Sequence, residues 1–399
     1  MQPDKQINRA GCLEILYRPV GWCIACITAV LLALLCFMAL RHSAAFQHEE
    51  FQEQMTVVPV DTVQVLLTAL ALGAAAIGIG WLSTKGKRGQ TLLIAIASAG
   101  VVLLGCAWSL SVHGHPVDDQ KKVWDIAVAL ANGTTDGMDF DYLIMFPYQS
   151  SMALFFEPLV RLFGPDPYPA FGIFNALCAG ACVWALCSVC ALLWPEKGAA
   201  GICAVLCLTF VPLSLMSEFL YGTLAASAMG LWAMYGVLRL CRGGSAWWWL
   251  LTLMLPLAVV CYNGSLLFAA AAFCLLAADG LLGGGKKGLL HRLLPAVLLL
   301  VICMNASTWA GTIFTWRTGV QLGDGIPKTA WAVMGLTAEN TNSGPGGYNS
   351  YTKLLFWENN ADSAATSAAA MQDLREYLAS WRDTPHENFG FLHEKIQTE

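Results

Sequence analysis

The recurrence of long, unbroken apolar runs limits this chain more than any other feature. Nine segments (20–40, 62–81, 91–112, 169–194, 199–216, 221–240, 247–262, 264–283 and 293–314) are apolar over most of their length. About 20 such residues carry a helix across a bilayer. Inside hydrocarbon a backbone must satisfy its own polar groups, and runs without alternation do so as helices. The expected fold is therefore all-α: a polytopic bundle of about nine transmembrane spans. Composition agrees: 57% of the residues are hydrophobic and 12% charged, against about 25% charged in a soluble domain. No basic patch points to nucleic acid, so none is expected as a partner. The partner expected on these grounds is the lipid bilayer.

The fifteen cysteines lie in or near the apolar runs and the N-terminal cap. None is arranged with histidines as a zinc site, so they read as small apolar residues. The polar stretch before the first span lacks the cleavage site of a signal peptide.

Charge orients the spans. Lys5, Arg9 and Arg18 precede the first, and Lys85, Lys87 and Arg88 precede the third. The positive-inside rule then places the N-terminus in the cytoplasm and the loop after residue 112 outside. Segment 148–164 is apolar but holds Glu157, Pro158 and Arg161. If it crossed the membrane, Lys197, Arg239, Arg242, Lys286, Lys287 and Arg292 would all face outward, so it reads as interfacial. Four regions result. Residues 1–112 hold the first spans. Residues 113–168 form an outer loop with interfacial helices at 119–132 and 148–163. Residues 169–316 form a transmembrane bundle, and 317–399 an outer C-terminal segment. Within the last, 361–383 reads as an amphipathic helix with Met371, Leu374, Tyr377, Leu378 and Trp381 on one face.

The outer loop opens on two adjacent carboxylates, in "VHGHPVDDQKKVWDIAVALANG". Asp118 suits the N-cap of helix 119–132, Asp119 suits its first turn, and Asn132-Gly133 supplies the stop. The apolar face Val123, Ile126, Ala127 and Leu130 is expected to rest on the membrane surface. A carboxylate at this depth also suits a general base for a lipid-anchored substrate. A capped helix would mount such a base rigidly, so the two readings coexist.

Three elements appear in order: "DDQKKVWDIAVALANG", "YLIMFPYQSSMALFFEPLVRLFG" and "GIPKTAWAVMGL". Through them the chain from about residue 110 onward resembles the GT-C superfamily of polytopic glycosyltransferases. The closest likeness is to the protein-O-mannosyltransferase-like family 39 group and a bacterial subgroup of it. The resemblance implies a GT-C-type bundle in the cell membrane with its active site on the outer face. It implies transfer of a sugar from a polyprenyl-phosphate donor to a glycan, lipid or protein acceptor, with inversion. It assigns the base to Asp119, or to its neighbour Asp118. Gln120 stands where many relatives have glutamate, so a divalent metal is compatible with the pattern but not required by it. Such enzymes carry further spans after the outer segment, and this chain ends at "FLHEKIQTE". It is therefore expected to be a piece of a longer protein.

Other candidates each carry two readings. Glu218 is a boundary residue or a pocket acid. Tyr221 is an interfacial anchor or a sugar contact. Tyr148 and Gln149 start a helix or hydrogen-bond sugar and phosphate. Asn263 caps a helix or meets the lipid phosphate. Arg317 snorkels at the interface or binds the donor phosphate. His113 and His115 belong to an ordinary loop or a metal site. A lipid-linked glycan polymerase or ligase, a transporter or flippase, and a non-catalytic envelope scaffold are the rival functions. The scarcity of mid-span charge argues against ion-coupled transport.

Overall fold

The computed structural model describes residues 4–46, 55–83, 86–112, 114–165, 168–195, 198–244, 246–283, 285–337, 346–383, 388–392 and 395. Glu49, Glu50, Glu53, Lys85, His113, Lys197 and residues 344 and 345 lie outside the described residues. So do the side chains of Lys5, Arg9, Arg18, Lys87, Lys286 and Lys287.

Helices dominate. The first are α1 Asp4–Arg41, α2 Thr62–Ser83, α3 Lys87–Val112, α4 Asp118–Asn132, α5 Phe140–Met145 and α6 Gln149–Phe163. They continue with α7 Tyr168–Leu193, α8 Ala199–Thr209, α9 Val211–Leu215, α10 Thr223–Cys241, α11 Trp248–Thr252 and α12 Met254–Cys261. The last are α13 Leu266–Gly283, α14 Gly285–Thr318, α15 Lys328–Met334, α16 Tyr351–Glu358 and α17 Ser363–Asp383. The all-α expectation needs one correction. Strands β1 His42–Phe46 and β2 Met55–Pro59 pair antiparallel, with His42 opposite Pro59 and Phe46 opposite Met55. The β-branched run Thr56-Val57-Val58 suits such a ladder.

Among the described residues seven helices are long and apolar enough to cross a membrane, or eight if α8 and α9 form one bent span. Two of the nine expected spans are thus modified. The fifth breaks by 61° between α8 and the stretch Val211–Glu218. Pro212 lacks the N–H that a continuous helix would need there. The seventh is the short apolar helix Trp248–Cys261, about 20 Å long at 1.5 Å per residue, against a hydrocarbon core of about 30 Å. On α1, apolar side chains such as Trp22, Ile27, Leu31 and Phe37 are exposed around the helix, as for a helix whose solvent is lipid.

The chain divides into two compact units. The first comprises Met1–Leu70, Ile144–Phe146 and Gly323–Glu399, the second Ala71–Leu143 and Pro147–Leu322. In the first unit α15 and α16 pack on α17, burying Ala330, Val333, Phe356, Thr366 and Ala370. Phe146 meets Trp331 at 6.1 Å between ring centroids, and Ile326 N–H donates to Met145 O. The buried stripe of α17 centres on Thr366 and Ala370, while Leu378, expected on the apolar face, is 58% exposed. Small residues allow the closest approach, so the contact lies at the Thr366–Ala370 end.

In the second unit α3 packs along α7 through small residues. A β-carbon on Gly105 would stand 2.9 Å from Ala176 Cβ, and one on Gly172 would collide with Ser109 Oγ. Between membrane helices, where burial gives no hydrophobic gain, such close approach supplies the packing. A second cluster joins α10, α12, α13 and α14 through Val237, Leu255, Leu276 and Cys303. Contacts sort the helix ends into two levels. At one, Arg292 donates to Leu240 O and pairs with Asp279, and Arg239 lies over the Trp248 ring. At the other, Cys261 Sγ meets Gly222 O and Ser151 Oγ donates to Val260 O. The short helix Trp248–Cys261 thus runs between the same two levels as α10, although its apolar length is less than a full span.

α4 and α6 correspond to the two expected interfacial helices, but the expected environment of α4 is corrected. Val123, Ile126, Ala127 and Leu130 are 0–2% exposed and pack against α6, and Trp124 meets Phe171 of α7. The face is covered by protein because α6 offers a matching apolar face, with Met152, Ala153, Phe156 and Val160 buried. The far ends of both helices are tied by charge. Glu157 is buried and binds Arg161 Nε at 2.7 Å and both terminal nitrogens of Arg317, and Arg317 Nη2 also donates to Leu130 O at 3.2 Å. The Arg317 hydrogen bonds, aided by Arg161, hold the Glu157 carboxyl below the usual glutamate range against the opposing effect of burial.

A depressed folded pKa stabilises above the unfolded value of about 4.3 and is lost as pH falls through the folded value. Glu157→Gln is expected to cost about 2 kcal/mol at pH 7, below the full value of a buried pair because Arg161 is half exposed. Thermal unfolding of wild type and variant in detergent, followed from pH 7 downward, should show the gap closing only below about pH 4.

Candidate functional site

The second unit gathers four of the sequence-selected side chains around one that the sequence reading passed over, Tyr142. The local chain explains its position. Asp139 Oδ1 accepts from Tyr142 N–H at 2.9 Å and starts α5, and Lys122 Nζ pairs with Asp139 Oδ2 at 3.1 Å. Lys122 also lies 5.1 Å from the centroid of the Tyr142 ring, a cation–π distance. Burial pushes the Asp139 carboxyl upward, but the Tyr142 N–H and Lys122 outweigh it and leave it below its ordinary value. The Tyr142 side chain is 1% exposed. Burial pushes its phenol far above the ordinary tyrosine range, and the negative charge of Asp119 and the neighbouring Tyr221 and Tyr148 add to the effect. The nearby Gln149 amide opposes them. Tyr142 therefore stays a neutral phenol at any physiological pH and senses the Asp119 charge directly.

Asp119 is half-buried at the start of α4, and Asp118 before it is exposed. The capping expectation for Asp118 is corrected. Val117 occupies the N-cap with no side-chain cap hydrogen bond, and Asp118 is the first helical residue at φ 45°. That conformation is costly for a residue with a β-carbon, and aspartate is among the side chains that tolerate it best. The C-terminal stop is as expected: Gly133 at φ 70° donates to Leu130 O, and Thr134 N–H reaches Ala129 O. This is the Schellman arrangement.

A buried amide ties the first turn of α4 to a distant loop. Gln120 Oε1 accepts from Leu220 N–H at 2.9 Å across 100 residues of sequence. The loop is fixed from its other side by Asn175 of α7, whose Nδ2 donates to Ser217 O at 3.1 Å and Phe219 O at 3.0 Å. Ser217 Oγ donates to Gly105 O, and Ser109 Oγ donates to Glu218. Tyr221 follows, its ring tilted 43° to that of Phe219 with centroids 4.9 Å apart. The loop thus carries Tyr221 to Tyr142, with Glu218 on its α3 side.

Of the sequence candidates, then, Asp119, Tyr148, Gln149 and Tyr221 converge on Tyr142. Gln149 is buried, and its Oε1 has no hydrogen-bond partner among the described residues. A buried acceptor of this kind matches a ligand that brings a donor. Glu218 sits close by, two residues before the backbone amide that Gln120 holds. Asn263 lies in the turn Asn263–Ser265 that opens α13, two residues beyond Cys261 and its contact with Gly222. Arg317 is not part of the group. It binds at Leu130 O, eleven residues along α4 from Asp119, or about 16 Å at the helical rise. His115 is exposed, His113 lies outside the described residues, and no group of three or more metal-ligating side chains occurs among the described residues.

Tyr142, Lys122 and Asp139 escaped the sequence reading. The one available signal was the spacing Asp139-x-x-Tyr142, an N-cap pattern that places the tyrosine on the first turn of a short helix. No family model, curated protein or solved structure matches the chain.

Replacing Gln120 by leucine leaves the buried Leu220 N–H without an acceptor. The expected cost is about 1–3 kcal/mol, read as a lower unfolding midpoint. Lys121→Ala, which removes only the exposed pair with Asp125, should stay within about 0.5 kcal/mol. Equal midpoints for the two variants would refute the structural role assigned to Gln120.

Proposed function

We propose that this chain is a membrane glycosyltransferase that moves a sugar from a polyprenyl-phosphate donor to an acceptor hydroxyl, with Asp119 as the general base. The observation that carries the reading is the convergence of Asp119, Tyr148, Gln149 and Tyr221 on the buried phenol of Tyr142. Asp119, Tyr148 and Gln149 belong to the motif elements and Tyr221 to a distant span end, and a helix cap alone would not need them together.

The chemistry follows from the groups. The acceptor hydroxyl gives its proton to the Asp119 carboxylate as its oxygen forms the bond to the anomeric carbon. The bond from that carbon to the phosphate oxygen breaks on the opposite face, and polyprenyl phosphate leaves with the electron pair. The configuration inverts. Negative charge near an oxocarbenium-like centre stabilises it. Lys122, one turn from Asp119 and close to Tyr142, is the cation best placed to meet the developing phosphate charge. Tyr142, held neutral, donates a hydrogen bond rather than a charge, and Gln149 Oε1 accepts from a sugar hydroxyl. Arg317 is reassigned in this reading from donor phosphate to the ion pair with Glu157.

The site is taken to face outward. Arg239, Arg242 and Arg292 gather toward the end of the second unit away from Asp119, and the positive-inside rule assigns that end to the cytoplasm. A lipid-linked donor would then reach the site laterally at headgroup depth, with a glycan, lipid or protein as acceptor.

The test is transfer from labelled polyprenyl-phosphate hexoses in membranes containing the full-length protein. Asp119→Asn should slow transfer by about 10²–10⁴-fold, the usual contribution of a general base. Asp118→Asn should change it by less than about tenfold, and Lys122→Ala should weaken it more than Lys121→Ala. Undiminished transfer by Asp119→Asn, with the variant present at wild-type level, rules out the base.

A further inference from the structure

The first unit holds a polar cavity of about 710 Å³ that the proposed transfer does not use. One side of its wall comes from α17, where Asp373, Glu376, Tyr377 and Ser380 project along one stripe at helical spacing. The rest comes from Thr337 and from Asn349, Ser350, Tyr351 and Leu354 at the start of α16. Leu354 is the one aliphatic member of that lining, beside the apolar ring faces of Tyr351 and Tyr377. The volume lies within the range of small-molecule sites, about 300–1,000 Å³.

The wall is organised from within. Asn349 Nδ2 donates to Thr337 Oγ1 at 2.9 Å, and its Oδ1 accepts from Tyr351 N–H at 2.9 Å. Tyr351 donates its hydroxyl to Asp373 Oδ2 at 2.5 Å. Burial, then Asp373, push the Tyr351 phenol above its ordinary range, so it remains a donor. Glu376 accepts from Gln372 Nε2 at 3.2 Å. Neither Asp373 nor Glu376 has a cationic partner among the described residues. Ionised carboxylates only accept hydrogen bonds, so the cavity offers acceptors beside two phenol rings. Its occupant must be rich in donors, present apolar C–H faces to the rings, and carry no negative charge.

We infer that this cavity binds a carbohydrate, neutral or amino-substituted, whose hydroxyls donate to Asp373 and Glu376 and whose ring packs on Tyr351 and Tyr377. Vicinal hydroxyls suit the two oxygens of a carboxylate. An acidic sugar would meet two uncompensated like charges and be rejected. The inference does not depend on the transferase reading. Within that reading, the cavity would hold part of a glycan acceptor or product.

Saturation-transfer NMR on the full chain in nanodiscs tests it, with glucose, galactose, mannose, glucosamine and glucuronate as probes. At least one neutral hexose or glucosamine should receive saturation and glucuronate none. The double variant Asp373→Asn/Glu376→Gln should lower the signal at least about fivefold. Glu376→Gln alone changes an exposed side chain and should keep the fold while lowering the signal measurably. Lys121→Ala, at an exposed side chain that neither site uses, should leave it unchanged, and because the readout is binding and not transfer, failure here is distinguishable from failure of the transferase reading. Absence of transfer to every neutral and amino probe, equal transfer to glucuronate, or an undiminished signal in both Glu376 variants would overturn the inference.

Discussion

The hydrogen bond from Leu220 N–H to Gln120 Oε1 is the interaction on which the candidate site depends. The stretch from Phe219 to Gly222 lies between the short 3-10 turn Met216–Glu218, whose last bond is Phe219 N–H to Met216 O, and the start of α10, so the Leu220 amide has no helical partner of its own. In a buried position each such amide needs an acceptor, or the fold loses the whole desolvation cost of the group. Gln120 of α4 accepts from the Leu220 amide, Asn175 of α7 donates to the Ser217 and Phe219 carbonyls, and the loop is thereby fixed to both helices. Tyr221, Glu218 and the start of α4 then have little freedom to separate.

The same logic explains why charge sits where it does. Glu157 is buried, yet its two arginines and the Leu130 carbonyl give every charge a partner. That cluster holds the far end of α4, as Gln120 holds the near end. A helix fixed at both ends makes a rigid mount for Asp119. The apolar face between is covered by α6 rather than lipid, so the mount does not rely on the membrane for its orientation. This division of labour leaves Lys122 as the cation nearest the Tyr142 group, and it leaves Arg317 structural.

The two units also differ in what their interiors accept. Small residues and apolar clusters pack the second unit, as between helices in hydrocarbon, and its cavity of about 820 Å³ is lined by apolar residues such as Val183, Leu206 and Leu231. The cavity of the first unit is walled by phenols, an amide and carboxylates. Polar groups can line a cavity at that density only when they bond one another or a polar occupant. The Asn349–Thr337 and Tyr351–Asp373 bonds satisfy part of the demand.

Much of this was legible along the chain. Apolar runs gave helices, since no other element satisfies its backbone in lipid, and Asn132-Gly133 marked a helix end because glycine adopts the left-handed conformation at little cost. Asp119, Tyr148 and Gln149 could be nominated from motif order, and Tyr221 from its place at a span end. Their meeting point could not. Tyr142 carries only the N-cap spacing from Asp139 and Lys122 no distinguishing local pattern, the bend at Pro212 and the short seventh apolar helix alter the span count, and the apolar face of α4 reads the same whether lipid or α6 covers it. The physical reason is range. Periodicity, caps and turns report free energies between neighbours in sequence. The bonds Gln120–Leu220 and Glu157–Arg317 join residues 100 and 160 positions apart, and which surfaces meet is decided only when the helices pack.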